Sequence, residues 1–172
     1  MQQDFLLDDF TSDDGRSVRG TYWKYFTDTV MGGRSSQRIE RTMRDGHHVL
    51  HLRGEVRLEN NGGFIQAALP LREDGGDFDA SQWAGIRIRV SGEGDGYGLH
   101  VRTADMHIPR QYYRADLPVS GEWADVLLPF ETFHARAGAG PFDTRTLRRI
   151  GIVASGHAFH PDLFIARLSF YR

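Results

Sequence analysis

The feature that most constrains the fold of this chain is an alternation of apolar and polar residues with a period of two. The clearest case spans residues 48–58, where Leu50 and Leu52 alternate with Arg53 and Glu55. This period puts one side of a β-strand in a core and the other in solvent. Similar segments recur roughly every ten residues, separated by Gly, Pro, Asp and Asn, which is typical of an all-β sandwich or barrel.

The same alternation predicts an outward-facing set of residues on three later strands. If these strands are neighbours in one sheet, their outward side chains form a single basic face that contains an aromatic ring, made of Arg87, Arg89, His100, Arg102, Tyr112 and Arg114. Clustered guanidinium groups suit an anion such as a phosphate or an acidic sugar. The alternative is an ordinary solvated surface whose arginines pair with nearby carboxylates. The glycine-rich segment 92–98 lies between two of the strands and is expected to form a hairpin turn.

Two further glycine-rich stretches, residues 28–35 and 59–64, each place a Gly-Gly pair beside small polar or acidic residues. Glycine and asparagine tolerate the left-handed backbone that sharp turns require. One interpretation is that the polar residues meet at a rim of the sandwich and bind a partner or small ligand. The other is that they bond to local backbone. The residues concerned are Asp28, Ser35, Asn60 and Asn61.

In this order and spacing, the two stretches resemble the complex I intermediate-associated protein 30 family. The resemblance continues through the segments 83–90, 111–113, 121–123 and 128–130, and it spans about residues 8–171. It implies a jelly-roll β-sandwich of the galactose-binding type, which we expect to form one domain over residues 1–172. It further implies a non-enzymatic binding domain that serves as an assembly factor, chaperone-like, for respiratory complex I (NADH:ubiquinone oxidoreductase) or another membrane complex.

A different function is recognition of a small carbohydrate or phosphate-bearing ligand on the basic face. Nucleic acid is a less favoured ligand, because the formal net charge is −2 and gives no overall attraction to a polyanion. None of the common hydrolase, metalloprotease or kinase motifs occurs, so we do not expect an enzyme. A protein partner, such as a subunit of a membrane complex, is the expectation that follows from the resemblance.

Metal sites have only weak support in the sequence. The absence of cysteine excludes disulfides and thiolate ligands. The histidines lack the spacing of a zinc site. Three aspartates in one loop, Asp74, Asp77 and Asp79, could supply oxygen ligands to a structural calcium ion, although acidic turn residues without a metal are the alternative. We expect no other cofactor.

The chain has no apolar run long enough for a membrane span, so we expect no membrane insertion. Residues 1–9 do not have a basic start followed by a long apolar segment, and they contain three aspartates. This pattern argues against a secretory signal and a transit peptide, and favours a cytoplasmic protein.

Overall fold

A computed structural model describes residues 3–172 of the chain, as twelve β-strands and three short 3-10 helices. The 3-10 helices are Asp28–Met31, Glu59–Asn61 and Phe130–Thr132. The strands are β1 (Phe5–Asp8), β2 (Lys24–Thr27), β3 (Ser36–Arg44), β4 (His47–Glu55), β5 (Phe64–Pro70), β6 (Gly85–Glu93), β7 (Tyr97–Thr103), β8 (Tyr112–Asp116), β9 (Ala124–Pro129), β10 (His134–Arg136), β11 (Leu147–Ser155) and β12 (Asp162–Tyr171).

The strands form two antiparallel sheets of six strands each. The first sheet has the order β3-β4-β12-β6-β9, and β1 also pairs with β12. It can do so because β4 pairs with the first residues of β12 and β1 pairs with the last ones along the same edge. The second sheet has the order β10-β8-β7-β11-β5-β2. This arrangement confirms the predicted all-β sandwich.

The core lies between the sheets and is built from the inward residues that the alternation predicts. Leu50 and Leu52 from the first sheet and Leu99 and Val101 from the second are all 0 % exposed. Stacked aromatic rings pack at one end of this core, where Trp83 and Phe170 have centroids 5.6 Å apart. Burial of this apolar surface is the main stabilising contribution to such a sandwich.

The connection between β6 and β7 differs from the expectation. The two strands follow each other closely in sequence, but they lie in different sheets and do not pair. Gly94 and Gly96 have φ values of +94° and +95°, a conformation that glycine adopts without steric cost. The backbone therefore turns from the first sheet into the second here, and the prediction of a hairpin was wrong.

One smaller expectation is adjusted by the structure. The strand predicted over residues 48–58 ends at Glu55, and Leu58 is 51 % exposed instead of buried. Residues 1–2 of the predicted domain lie outside the described residues. Among residues 3–172, no helix is long and apolar enough to cross a membrane.

Candidate binding site

The second sheet contains most of the unbalanced positive charge in the strands. Its six strands hold one carboxylate, that of Asp116, and six cations: Lys24, Arg102, Arg114, Arg136, Arg148 and Arg149. The strands of the first sheet hold seven arginines and six carboxylates, so their charges nearly balance. We use the term basic face for the outer surface of the second sheet, lined by Lys24, His100, Arg102, Tyr112, Arg114, Arg136 and Arg149.

Two stacked rings form the centre of one half of the basic face. The imidazole of His100 lies flat on the ring of Tyr112, with centroids 3.8 Å apart and planes 9° from parallel. Arg114 Nη1 lies 2.9 Å from His100 Nε2. Because arginine can only donate, Nε2 accepts and the imidazole proton must sit on Nδ1. Arg136 lies beside Tyr112 on the edge strand β10.

His100 is neutral at physiological pH. Burial and, to a smaller extent, the positive charges of Arg114, Arg136 and Arg149 together lower its pKa to about 3. A neutral, half-buried imidazole between arginines offers a flat apolar surface and one N–H donor. A group with so low a pKa is also a weak general base near pH 7.

Arg102 supports a loop with one end of its guanidinium. Its Nη1 donates to the carbonyl oxygens of Ile108, Pro109 and Gln111 at 3.1, 2.9 and 3.0 Å. These bonds fix residues 108–111 against β7 and hold the guanidinium in place. The other nitrogens of Arg102 make no hydrogen bond within residues 3–172, so they are free to contact a ligand.

Arg149 lies beside Arg102 on the neighbouring strand β11, where the two residues are register partners. Its guanidinium stacks over Phe26, 5.3 Å from the ring centroid. Burial lowers the pKa of Arg149, and the charge of Arg102 lowers it further. In the described part of the chain, neither arginine forms an ion pair. Two adjacent cations without a carboxylate favour the binding of an anion.

The structure does not bring all six predicted residues of the basic face together. His100, Arg102, Tyr112 and Arg114 lie on the second sheet as expected. Arg87 and Arg89 lie on β6 in the first sheet, where they pair with Asp4 at 2.8 Å and Asp125 at 3.4 Å. Because β6 and β7 belong to different sheets, the prediction of one continuous face was wrong for Arg87 and Arg89.

Comparison with known proteins identifies the family. The family model for complex I intermediate-associated protein 30 (CIA30) matches residues 9–164. The chain belongs to the CIA30 family. No curated protein matches the sequence at a significant level.

Several solved structures similar to this CIA30 member are carbohydrate-binding modules. A family 11 module of the cellulosomal cellulase Lic26A-Cel5E of Clostridium thermocellum has a TM-score of 0.77 at 12 % identity, over 99 % of this chain and 95 % of that one. A family 30 module of the cellulosomal cellulase Cel9D-Cel44B from the same organism has a TM-score of 0.62 at 13 % identity, over 98 % and 97 %. At such low identity the likeness shows the jelly-roll, galactose-binding-like fold alone.

The two glycine-rich motifs of this CIA30 member meet around one buried carboxylate. Asp28 is 0 % exposed and accepts hydrogen bonds from Ser35 N at 2.9 Å, Gly63 N at 2.5 Å and Phe64 N at 3.2 Å. The hydroxyl of Ser35, which is also buried, donates to the same carboxylate at 2.5 Å. Burial raises the pKa of Asp28, but these hydrogen bonds outweigh it and hold the pKa below its usual value.

The geometry therefore favours the backbone-bonding interpretation for Asp28 and Ser35. Asn60 follows the same pattern, because its side-chain amide donates to Gly32 O at 3.0 Å. Asn61 is exposed and adopts a left-handed φ of 58°. Asp28 and Asn60 thus bond from one motif to the other, whereas the Ser35 hydroxyl bonds to Asp28 and to the backbone of Arg57.

The aspartates of the calcium hypothesis do not converge. Asp74 pairs with Arg72 at 2.6 Å, Asp77 pairs with Arg148 at 2.7 Å, and Asp79 accepts from Ser81 N at 2.9 Å. Among residues 3–172, no group of three or more His, Cys, Asp or Glu residues is arranged to hold a metal ion. The geometry gives no support to a calcium site.

Three residues of the basic face were missed by the sequence analysis: Lys24, Arg136 and Arg149. Arg149 precedes the inward Ile150, so the alternation alone could have placed it on an outer surface. That it lies beside Arg102 could not be inferred, because the sequence does not reveal that β11 lies between β7 and β5 in the sheet. Lys24 and Arg136 lie on the short edge strands β2 and β10, where four and three residues give little periodic signal.

Proposed function

We propose that this chain is a non-catalytic, cytoplasmic binding module of the assembly-factor type. It holds an acidic segment of a subunit of respiratory complex I, or of another membrane complex, while that complex is built. The observation that carries the proposal is the charge of the second sheet, with six cations and one carboxylate in its strands. Membership of the CIA30 family supports the choice of partner.

The basic face suits an extended acidic polypeptide for two reasons. Arginine presents a planar fork of donors that matches a carboxylate, and several of them along one sheet can contact successive acidic side chains. The stacked rings of His100 and Tyr112 add a flat surface on which apolar or aromatic side chains can pack. Because Arg102, Arg136 and Arg149 have no carboxylate partner within residues 3–172, their contacts with a bound polypeptide break no ion pair between these residues.

The test is capture of partners by the tagged chain from a lysate of its native host. The site variant is Tyr112→Ala with Arg136→Glu, which alters the β8–β10 half of the face and leaves the core intact. The control is Arg38→Gln with Arg145→Gln, two arginines whose side chains are 70 % and 71 % exposed and lie outside the basic face. Circular dichroism of both variants is used to check that they are folded.

We expect the wild type and the control to retain subunits of a membrane complex. The site variant should retain at least about tenfold less of them, because charged contacts worth about 1.5–3 kcal/mol each are removed. The amount of captured subunit should fall steeply as the salt concentration is raised. The proposal fails if the wild type retains no such subunit, or if the site variant retains as much as the control.

A second candidate function is recognition of an acidic carbohydrate on the same face. The observation that favours it is the His100–Tyr112 stack beside Arg114, since sugars pack on flat rings while guanidinium groups bind their carboxylates. Titration with an acidic oligosaccharide and with its neutral counterpart distinguishes this function from binding of a polypeptide. Binding is monitored by the fluorescence of Tyr and Trp. Saturable binding of the acidic form alone would support it, and no binding of either form would exclude it.

A further inference from the structure

A cavity of about 280 Å³ lies at the end of the basic face away from Tyr112 and Arg136. Its walls come from β2, β5, β7 and β11 and from the loops that follow β5 and β7. Ala68, Pro70 and Met106 form apolar parts of the wall. Five cations also line it: Lys24, Arg72, Arg102, Arg148 and Arg149.

The five cations differ in whether they have an internal partner. Arg72 and Arg148 pair with Asp74 and Asp77, at 2.6 Å and 2.7 Å. Within residues 3–172, the remaining three, Lys24, Arg102 and Arg149, form no ion pair with any carboxylate. The cavity therefore carries three uncompensated positive charges at one spot, although the chain as a whole has a formal net charge of −2.

Local structure holds two of these cations in place against their mutual repulsion. Arg102 is fixed by three carbonyl oxygens of the 108–111 loop, and Arg149 is fixed by its stacking on Phe26. The two side chains are register partners on adjacent strands. Guanidinium groups positioned in advance bind an anion with little additional loss of side-chain entropy.

We propose that this cavity binds a phosphate group through Lys24, Arg102 and Arg149. A phosphate dianion offers several oxygens, so two guanidinium groups and an ammonium group can contact it together. A single carboxylate has two oxygens and one charge, and would leave part of the positive charge uncompensated. The apolar wall at Ala68, Pro70 and Met106 leaves room for a small group attached to the phosphate, such as a sugar.

This site goes beyond the proposed binding of a protein partner and is testable separately from it. The partner test alters Tyr112 and Arg136 on β8 and β10. The phosphate test alters Lys24 and Arg149 on β2 and β11. A failure of one therefore leaves the other standing, because the two variants share no residue.

The experiment is isothermal titration calorimetry of the full chain at constant ionic strength. The titrants are inorganic phosphate, glucose 6-phosphate and glucose. The variants are Lys24→Gln, Arg149→Gln and both together, and the control is again Arg38→Gln with Arg145→Gln, which removes two positive charges elsewhere. The single variants guard against a folding defect in the double variant.

We expect the wild type and the control to bind a phosphate compound with equal affinity, and the double variant to bind it at least about tenfold more weakly, as expected for the loss of charged hydrogen bonds. Tighter binding of glucose 6-phosphate than of inorganic phosphate identifies a phosphate ester as the ligand, and the reverse order identifies free phosphate. The proposal is overturned if neither compound binds, if glucose binds as well as its phosphate, or if the control weakens binding as much as the double variant.

Discussion

Replacement of Asp28 by alanine should remove the connection between the two glycine-rich motifs and destabilise the whole sandwich. The Asp28 carboxylate accepts three backbone N–H groups, from Ser35, Gly63 and Phe64. The Ser35 hydroxyl has a second acceptor, Arg57 O at 3.2 Å, and would not be left without a partner. Within residues 3–172, none of these three N–H groups donates to a second side chain.

The magnitude follows from these three donors. A buried donor left without a partner costs about 1–3 kcal/mol. Ser35 is buried, whereas Gly63 and Phe64 are only partly buried, so their N–H groups can regain some hydration. We therefore expect Asp28→Ala to lower the free energy of unfolding by about 3–5 kcal/mol. For a chain of this size, that corresponds to a fall in Tm of about 6–20 °C.

The assay is urea unfolding followed by tryptophan fluorescence and circular dichroism, with Asp13→Ala as the control. Asp13 is an exposed residue of a loop near the N-terminus, and its replacement should change stability by less than about 0.5 kcal/mol. The argument is refuted if folded Asp28→Ala lies within about 1 kcal/mol of the wild type.

A double-mutant cycle with Gly62 tests whether the carboxylate itself sets the spacing of the motifs. Gly62 has an ordinary φ of −76°, but a Cβ at this position would lie 2.6 Å from Asp28 Oδ2. Gly62→Ala should therefore cost about 1–3 kcal/mol in the wild type. The cost should be smaller by about 1 kcal/mol or more when Asp28 is already alanine. Strict additivity of the two changes would contradict the proposed clash.

Two further predictions concern His100 and Tyr97. Because the pKa of His100 is lowered to about 3 in the folded state and is about 6.5 in the unfolded chain, the unfolded state takes up the extra proton between these values. The free energy of unfolding of the wild type should then fall with decreasing pH, by about 2 kcal/mol more between pH 6.5 and 5 than that of His100→Gln. If the free energies of unfolding of the two proteins depend on pH in the same way, this reasoning is contradicted. Tyr97→Phe should cost about 1–3 kcal/mol in urea unfolding, since its buried hydroxyl donates to Glu93 O at 2.5 Å and accepts from Asp162 N at 2.9 Å. A loss below about 0.5 kcal/mol would show that neither bond contributes.

Much of the fold could be predicted because strand periodicity is a local property. Leu99 and Val101 alternate with His100 and Arg102 within a few residues, and the pleat of a strand then decides which side each takes. The glycine-rich motifs were equally informative. Their residues meet in the structure, since Asp28 accepts from the backbone of Gly63 in the second motif.

The candidate site could be predicted only in part, because it depends on which strands are neighbours. Arg87 and Arg102 have the same local pattern, an arginine between two buried residues, yet they lie on opposite sheets. Nothing within either strand distinguishes them. The difference arises at Gly94 and Gly96, where the chain crosses to the other sheet instead of turning back.

The amino-acid sequence by itself determined the all-β class, the inward face of each main strand and the two motifs that identify the family. These properties follow from side-chain polarity and backbone preferences over a few residues. Only the tertiary structure decided that Arg149 lies beside Arg102 and that Lys24 lines the same cavity. Strand order brings residues 24, 102 and 149 together across long stretches of chain, and it is set by packing of the whole core.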